Sequence, residues 1–125
     1  MLFQENNKAI YLQIADAVCD DILSGTLPPE SRIPSVREYA ADIEVNANTV
    51  MRAYDHLASR EIIYNKRGIG YFITPDAPAT VRRMRRDELL GSEIGNFFNR
   101  LRLLGITPDE LARLYTDFCA SHPSN

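Results

Sequence analysis

The sequence is poor in the residues that build most catalytic and metal sites. Its 125 residues contain no tryptophan, two cysteines and two histidines. Cys19 and Cys119 lie far apart within helical patterns, so we expect both to be reduced core residues. No phosphate-binding glycine loop, no metal-spaced set of histidines and cysteines, and no nucleophile paired with a base is apparent. The sequence therefore predicts no catalytic residue, no metal site and no cofactor.

Long apolar runs are also missing. No stretch approaches the roughly 18 residues of a membrane helix, and the N-terminus has no signal-peptide pattern. With 45% apolar and 25% charged residues, the composition is typical of a soluble globular domain with a small appendage. These features predict a cytoplasmic protein that does not bind a membrane.

The sequence also lacks the excess positive charge expected of a domain that binds nucleic acid. Its formal net charge is −3. Residues 1–30 hold five acidic side chains against Lys8 alone, whereas residues 31–74 hold six basic and five acidic ones. A locally basic surface is compatible with this distribution, but non-specific affinity for DNA should be modest.

What the sequence does contain is a series of short helical patterns. Apolar residues recur every four positions from Ile10 to Ile22 and predict a first helix over residues 9–24, which Gly25 ends. The two prolines that follow favour an extended segment, with a short strand around Arg32-Ile33.

Residues 33–57 predict two further helices joined by a tight turn. Ser35 and Glu38 form an S-x-x-E capping box for the first, and Asn46 is a favourable N-cap for the second. The second helix has one apolar stripe, formed by Val50, Ala53, Tyr54 and Leu57. At about 100° per residue, its opposite face carries Asn48, Arg52 and Asp55, with Thr49 and Met51 on the flanks. Amide and guanidinium groups match base edges in a major groove, although a solvated polar face is the alternative for such a helix taken alone.

A hairpin follows. The β-branched and aromatic runs at 62–64 and 71–73 predict two strands, and residues 65–70 form the turn between them. The turn carries Lys66 and Arg67 together with Gly68 and Gly70. A charged hairpin tip is usually only solvated, but directly behind a helix-turn-helix it fits a wing that reaches phosphates or a minor groove.

Five ordered blocks of sequence span residues 11–73: Y-x-Q-I, G-x-L-x-P, L-P-S-x-R with Ile33 for leucine, T-V-x-R-A-Y and R-G-x-G-x-F. Together they resemble the N-terminal winged helix of the GntR family of bacterial transcription regulators. The resemblance implies a domain that binds double-stranded DNA at an operator. The chain departs from the family at Glu30, where glycine is usual, and at Ala47 and Met51, where arginine is common.

The motifs and the outward helix face together select a set of expected DNA-binding residues. They are Ser35, Arg37, Asn46, Asn48, Thr49, Arg52, Lys66, Arg67, Gly68 and Gly70. We expect base readout from the residues of the second helix, and phosphate contacts from Arg37, Lys66 and Arg67.

The predicted domains are a winged helix-turn-helix domain at 1–75, a linker at 76–79, and a C-terminal region of two helices at 80–125. Apolar residues of the long first helix in that region are spaced 4-3-4-3, as in an a/d seam. The seam and its flank comprise Leu90, Ile94, Phe97, Phe98, Leu101 and Leu104. Thr107 begins a second capping box, and the last helix is expected to bury Leu111, Leu114, Tyr115, Phe118 and Cys119.

Two helices of this size cannot cover so much apolar surface alone, which predicts a homodimer. The tail is similar to that of the YtrA-type members of the family, in which two C-terminal helices serve dimerisation. The basic run from Arg82 to Arg86 is either a solvated face or a contact to DNA or to the partner chain.

The sequence thus predicts a mainly α fold with a small β-hairpin, and a repressor-like, sequence-specific regulator that is not an enzyme. Two other functions stay open. One is a winged-helix module for protein interaction, which the acidic balance permits. The other is a small-molecule-responsive switch with a ligand between the tail helices, although the sequence identifies no effector.

Overall fold

The computed structural model describes residues 8–123, which form six helices and one two-stranded hairpin. In chain order the elements are α1 (Ile10–Ser24), α2 (Val36–Ile43), α3 (Ala47–Ser59), β1 (Ile63–Lys66), β2 (Gly70–Ile73), α4 (Ala77–Leu89), α5 (Ser92–Leu103) and α6 (Pro108–Ser121). They divide into two compact units, of which the first ends at Arg85 and the second begins at Arg86. The predicted mainly α fold with a small hairpin is confirmed.

A hydrophobic core fills the first unit. Its buried members extend along the chain from Ile14 to Val81 and come from the first three helices, the hairpin and the start of α4. Tyr54 is among the largest fully buried side chains, and its hydroxyl donates to the Pro34 carbonyl at 2.6 Å. Burial raises the pKa of Tyr54 well above its ordinary value, because a phenolate would be charged inside the core.

The helix boundaries of the first unit have local causes that the sequence predicted. Gly25 ends α1 in the left-handed conformation, with φ of 85°. In the capping box, Ser35 Oγ accepts from the Glu38 N–H at 3.1 Å and the Ser35 N–H donates to Glu38 Oε1 at 3.2 Å. Asn46 Oδ1 accepts from the Asn48 N–H at 2.7 Å and so caps α3.

The hairpin is antiparallel, with Ile63 opposite Ile73 and Lys66 opposite Gly70. The extended segment before α2 pairs with β2, since Arg32 bridges Phe72 and the Ile33 N–H donates to the Tyr71 carbonyl at 3.0 Å. The segment predicted as a short strand around Arg32-Ile33 is extended, as expected, but it forms an isolated β-bridge and not a strand. This pairing joins the helix-turn-helix to the hairpin.

The linker predicted at residues 76–79 is a helix instead. Helix α4 begins at Ala77, and both Ala77 and Val81 are fully buried in the core of the first unit. The prediction was wrong because proline is tolerated in the first turn of a helix, where its missing N–H removes no helical hydrogen bond. Arg85 also joins α4 to α1, through hydrogen bonds to Asp20 Oδ1 at 2.6 Å and the Asp16 carbonyl at 3.1 Å.

The single long helix predicted beyond residue 80 is interrupted. Helix α4 ends at Leu89 and α5 begins at Ser92, because a Gly-Ser pair at 91–92 is a common point for a helix to break. Leu90 lies in this break and Leu104 is the C-cap of α5. The predicted seam from Leu90 to Leu104 is therefore not continuous.

The second unit contains no buried residue in α5 or in α6. Thr107 Oγ1 accepts from the Glu110 N–H at 3.2 Å and caps α6, which is one of the two hydrogen bonds of the predicted capping box. The burial predicted for Leu114, Tyr115, Phe118 and Cys119 is wrong for this single chain, in which all four are exposed. Two short helices do not enclose enough volume to bury them. Cys19 is buried, as predicted.

Residues 8–123 contain neither a candidate membrane-spanning helix nor a candidate metal site. No helix there is both long and apolar enough to cross a membrane. No group of three or more histidine, cysteine, aspartate or glutamate side chains within that range is arranged to hold a metal ion.

Candidate nucleic-acid interface

Helix α3 presents one polar face because its other face is buried. Its inward stripe, which is at most 1% exposed, consists of Val50, Ala53, Tyr54 and Leu57. The exposed residues of the opposite face are Asn48, Met51, Arg52 and Asp55, and Thr49 is half-buried at its edge. Rotation of α3 about its axis would expose the stripe, so the core fixes which side chains face outward.

The N-terminus of α3 is held by Asn46. Because its side-chain oxygen accepts the N–H of Asn48, Asn46 has a structural role in addition to the DNA contact that the sequence predicts. The N-terminal residues of a recognition helix are those that contact base edges. The first turn of a helix also carries partial positive charge, which favours a nearby phosphate.

Arg52 contacts α1 as well as lying on the outward face. Its guanidinium carbon lies 4.2 Å from the centroid of the Tyr11 ring, a cation–π geometry. The Tyr11 ring also meets the His56 ring edge-on, with centroids 6.1 Å apart. Arg52 and His56 therefore connect α3 to the start of α1.

Ser35 and Arg37 lie at the start of α2, where Ser35 forms the capping box with Glu38. Arg37 is exposed, and Ser35 is half-buried with its oxygen engaged by the Glu38 N–H. Hydrogen bonds from Ser35 hold the pKa of the Glu38 carboxyl below its ordinary value, with a smaller contribution from Arg32. An Arg32 guanidinium nitrogen lies 3.9 Å from Glu38 Oε1.

The turn of the hairpin is shaped by glycine. Gly68 has φ of 81° and Gly70 has φ of 137°, values that other residues rarely adopt. A side chain at Gly70 would also approach Arg32 closely, since a Cβ there would lie 3.0 Å from Arg32 Nε. Both glycines therefore set the shape of the turn, while Lys66 and Arg67 are exposed and supply its positive charge.

The sequence analysis did not identify three residues that support this surface, which are Arg32, Tyr11 and Phe72. Arg32 lies in the extended segment before α2, and its Nε donates to the Ile69 carbonyl at 3.3 Å, which holds the hairpin turn. The ammonium of Lys66 lies 4.6 Å from the centroid of the Phe72 ring, and Arg52 lies over Tyr11. The predicted strand beside the hairpin was a signal for Arg32, and the predicted hairpin itself brings Lys66, in its turn, close to Phe72 on the second strand. The pair of Arg52 and Tyr11 joins residues far apart in sequence and had no such signal.

The predicted dimerisation residues fall into two groups. Leu90, Phe97, Phe98 and Leu104 are exposed, whereas Ile94 and Leu101 are half-buried. Phe97 and Phe98 lie side by side with ring centroids 6.2 Å apart. Between α5 and α6 a cavity of about 480 Å³ has Phe98, Leu101 and Leu111 among its lining residues.

Two short helices at an angle set by the core, followed by a hairpin with a basic turn, define a winged helix-turn-helix DNA-binding protein. Residues 10–73 match the family of bacterial regulatory proteins known as the gntR family. The chain belongs to the GntR family of transcriptional regulators. The resemblance drawn from the five sequence blocks is therefore confirmed.

Relatives of similar length support this assignment along most of the chain. The HTH-type transcriptional regulator YhcF of Bacillus subtilis is 34% identical over 107 residues, which cover 86% of this chain and 87% of YhcF. The crystal structure of a GntR-family transcriptional regulator from Bacteroides thetaiotaomicron is 51% identical, with a TM-score of 0.81, and covers 90% of this chain and 98% of its own.

Two further solved structures are similar to this chain, one of them over the C-terminal helices as well and the other in complex with DNA. YtrA from Sulfolobus acidocaldarius, a GntR-family transcription factor, covers 99% of both chains at 26% identity and a TM-score of 0.57. The DNA-binding domain of AraR, solved in complex with an operator, is 25% identical with a TM-score of 0.50 and covers 59% of this chain and 95% of its own. The protein is thus a DNA-binding transcriptional regulator of the GntR family that is similar to YtrA along its whole length.

Proposed function

We propose that this regulator acts as a homodimer that binds a pseudo-palindromic operator in double-stranded DNA. In this proposal the N-terminal part of α3 enters the major groove and the wing, residues 65–70, contacts the adjoining backbone. The observation that carries it is the presence, in one unit, of an outward-facing α3 and a basic turn braced by Arg32. The hydrogen bond from Arg32 fixes the position of the basic turn, which favours a binding role for the turn over simple solvation.

The proposed contacts divide by chemistry. Asn46, Asn48, Thr49 and Arg52 would contact base edges, because amide, hydroxyl and guanidinium groups match the donor and acceptor pattern of the major groove. Ser35, Arg37, Lys66 and Arg67 would contact phosphates, which position the protein and carry no sequence information. Gly68 and Gly70 would let the wing backbone approach the DNA.

Arg52 must leave or tilt away from Tyr11 to contact a base. An exposed cation–π pair contributes about 0.5–1 kcal/mol, whereas a bidentate contact between arginine and guanine discriminates by about 1–3 kcal/mol. The base contact is the stronger of the two, so the Tyr11 ring can hold the guanidinium until DNA replaces it. Arg52→Ala should therefore weaken specific binding by about 1–3 kcal/mol and relax the preference at one base position, which titrations against base-substituted operators would measure.

Dimerisation through the second unit is supported by its uncovered apolar surface. The large exposed apolar side chains there are Leu89, Leu90, Phe97, Phe98, Leu103, Leu104, Leu114, Tyr115 and Phe118. A patch of this kind marks an interaction surface, and isologous pairing of two copies is the commonest way to cover one. A two-fold dimer would present two copies of α3 to the two halves of an inverted repeat.

Repression and a cytoplasmic location follow from the same proposal. A dimer bound across an operator would exclude other proteins from that DNA. Bacterial operators lie in the cytoplasm, where such a regulator would act.

Selection of bound sequences from random duplex DNA tests the proposal. We expect an enriched inverted repeat, with half-sites separated by about one helical turn or a multiple of it. Sedimentation of the free protein at micromolar concentration should show a dimer. Enrichment of a single half-site without symmetry would reject the dimeric mode, and no enrichment at all would favour a protein-interaction role for the winged helix.

A second function, response to a small molecule, is supported by the cavity between α5 and α6. Its size of about 480 Å³ is within the range of ligand sites, and Arg102, whose guanidinium donates to Asn99 Oδ1 at 2.7 Å, is among its lining residues. Such a cavity fits an apolar molecule with a carboxylate. A thermal-shift screen of fatty and aromatic carboxylates tests this function, and we expect a rise in Tm that Arg102→Ala reduces.

A further inference from the structure

We propose that the N-terminal half of α3 reads A·T base pairs, through apolar contacts of Ala47 and Met51 with thymine methyl groups and an amide contact of Asn48 with adenine. This inference rests on the proposed entry of α3 into the major groove. It specifies which base pairs the first turn and a half of that helix selects.

The three side chains share one exposed surface. Ala47, Asn48 and Met51 are all exposed, and Met51 retains 41% of its surface although methionine is an apolar residue. Positions 47 and 51 are four residues apart and positions 48 and 51 are three apart, so the three are neighbours on the helix. The fully buried side chains of Val50 and Tyr54 keep this surface turned outward.

The chemistry of this surface favours one class of base pair. The thymine C5-methyl is the apolar group that a base pair presents in the major groove, and an apolar side chain is its natural partner. Met51 is well suited to such a contact because its unbranched thioether adapts to irregular surfaces. The amide of Asn48 can pair with the N6 and N7 positions of adenine.

Cations lie beside this surface and not within it. The nearest on α3 is Arg52, whose guanidinium is placed over the Tyr11 ring of α1. Arg37 belongs to α2, and Lys66 and Arg67 belong to the wing. Asp55 lies on the outward face one turn beyond Met51, past the N-terminal residues that reach bases. The expected half-site is therefore a short A·T block with one adjoining position for a guanine read by Arg52.

Replacement of thymine by deoxyuracil tests the methyl contacts, because it removes the C5-methyl and leaves every hydrogen-bonding group in place. Each thymine of the selected half-site is replaced singly, and affinity is measured by fluorescence anisotropy. We expect affinity to fall roughly three- to five-fold at one or two positions, as the loss of one buried methyl group implies.

Variants of α3 assign the contact to a residue. Met51→Ala should bind the thymine and deoxyuracil duplexes equally at one of these positions, whereas Met51→Leu should keep the discrimination. Asn48→Ala should lose preference for adenine at a neighbouring position. Ser59→Ala, at the opposite end of α3, is the matched control and should retain the full pattern.

The outcomes separate this inference from the function on which it rests. An enriched half-site made of G·C pairs, or equal affinity for thymine and deoxyuracil at every position, would overturn the A·T reading while operator binding stands. Failure to enrich any duplex would overturn the proposed function, and the A·T reading with it.

Discussion

The two units of the chain differ in how completely their apolar side chains are buried. In the first unit, every side of the core is closed by the same chain, and residues such as Val50, Tyr54 and Ile62 have no exposed surface. In the second unit, α5 and α6 bury no residue at all. The apolar side chains of the first unit are therefore largely removed from water, whereas those of α5 and α6 are left in contact with it, which favours their association with another surface.

A charge placed in the second unit should have the largest effect. Phe97→Asp would put an unpaired carboxylate into the proposed dimer interface, at a cost of several kcal/mol if that site is dry. We expect the variant to sediment as a monomer and to lose binding to the full operator, while circular dichroism shows a folded winged helix.

A neighbouring position supplies the control for that variant. Asn96→Asp adds the same charge to an exposed residue one position earlier on α5, and it should stay dimeric. A dimeric Phe97→Asp protein, or a wild type that is monomeric at micromolar concentration, would show that the tail is not the dimerisation element.

A change in the first unit should reduce stability without affecting assembly. Tyr54→Phe removes the hydroxyl that donates to the Pro34 carbonyl at 2.6 Å and leaves that acceptor without its partner. We expect a loss of about 1–2 kcal/mol in the free energy of unfolding, measured in urea. Tyr115→Phe, on an exposed tyrosine of α6, should change stability by less than about 0.5 kcal/mol; an equal loss in both variants would contradict the role of the Tyr54 hydrogen bond.

The same tyrosine gives the first unit a dependence on alkaline pH. Burial raises the pKa of both Tyr54 and Tyr39 above their ordinary value of 10.0 in the folded protein. The folded state then keeps protons that the unfolded chain loses above about pH 10, so the contribution of these two tyrosines to stability is constant below that pH and falls above it. Urea unfolding at a series of alkaline pH values should show this decline, and Tyr54→Phe should make it shallower. A flat profile in the wild type would contradict it.

The wing should affect binding to all duplexes equally. Lys66→Ala and Arg67→Ala each remove one proposed phosphate contact, so the slope of log affinity against log salt should decrease by about 1 unit per variant. Lys8→Ala, which removes a cation that precedes α1 and pairs with Asp16 outside the wing, is the control for lost positive charge. A change in base preference in a wing variant would show that the wing reads sequence.

The smallest effect is expected at Glu30. Its φ of 68° is left-handed, so the turn keeps the conformation that the usual glycine of the family would adopt, at some strain to the backbone. Glu30→Gly relieves that strain but gains chain entropy in the unfolded state and loses the hydrogen bond from the Tyr64 hydroxyl at 3.1 Å. We expect the free energy of unfolding, measured by thermal unfolding, to rise by at most about 1 kcal/mol. A decrease in that free energy would show that the Tyr64 contact dominates.

Elements with local causes could be predicted from the amino-acid sequence. The capping box at Ser35, the N-cap at Asn46 and the Gly25 terminus each involve residues a few positions apart, and the stripe on α3 follows from helical spacing alone. The family blocks added the function, because they join those local signals in one order.

Features that depend on residues distant in the chain became visible in the folded structure. Whether residues 76–79 formed a linker depended on the pocket that buries Ala77, and the position of Arg52 depended on the Tyr11 ring of another helix. Hydrophobic burial is non-directional and sums over the whole molecule, so a local pattern shows that a side chain is apolar but not whether the chain has a surface to cover it. That is why the stripe on α3 was predicted correctly as buried and the apolar residues of α6 were not.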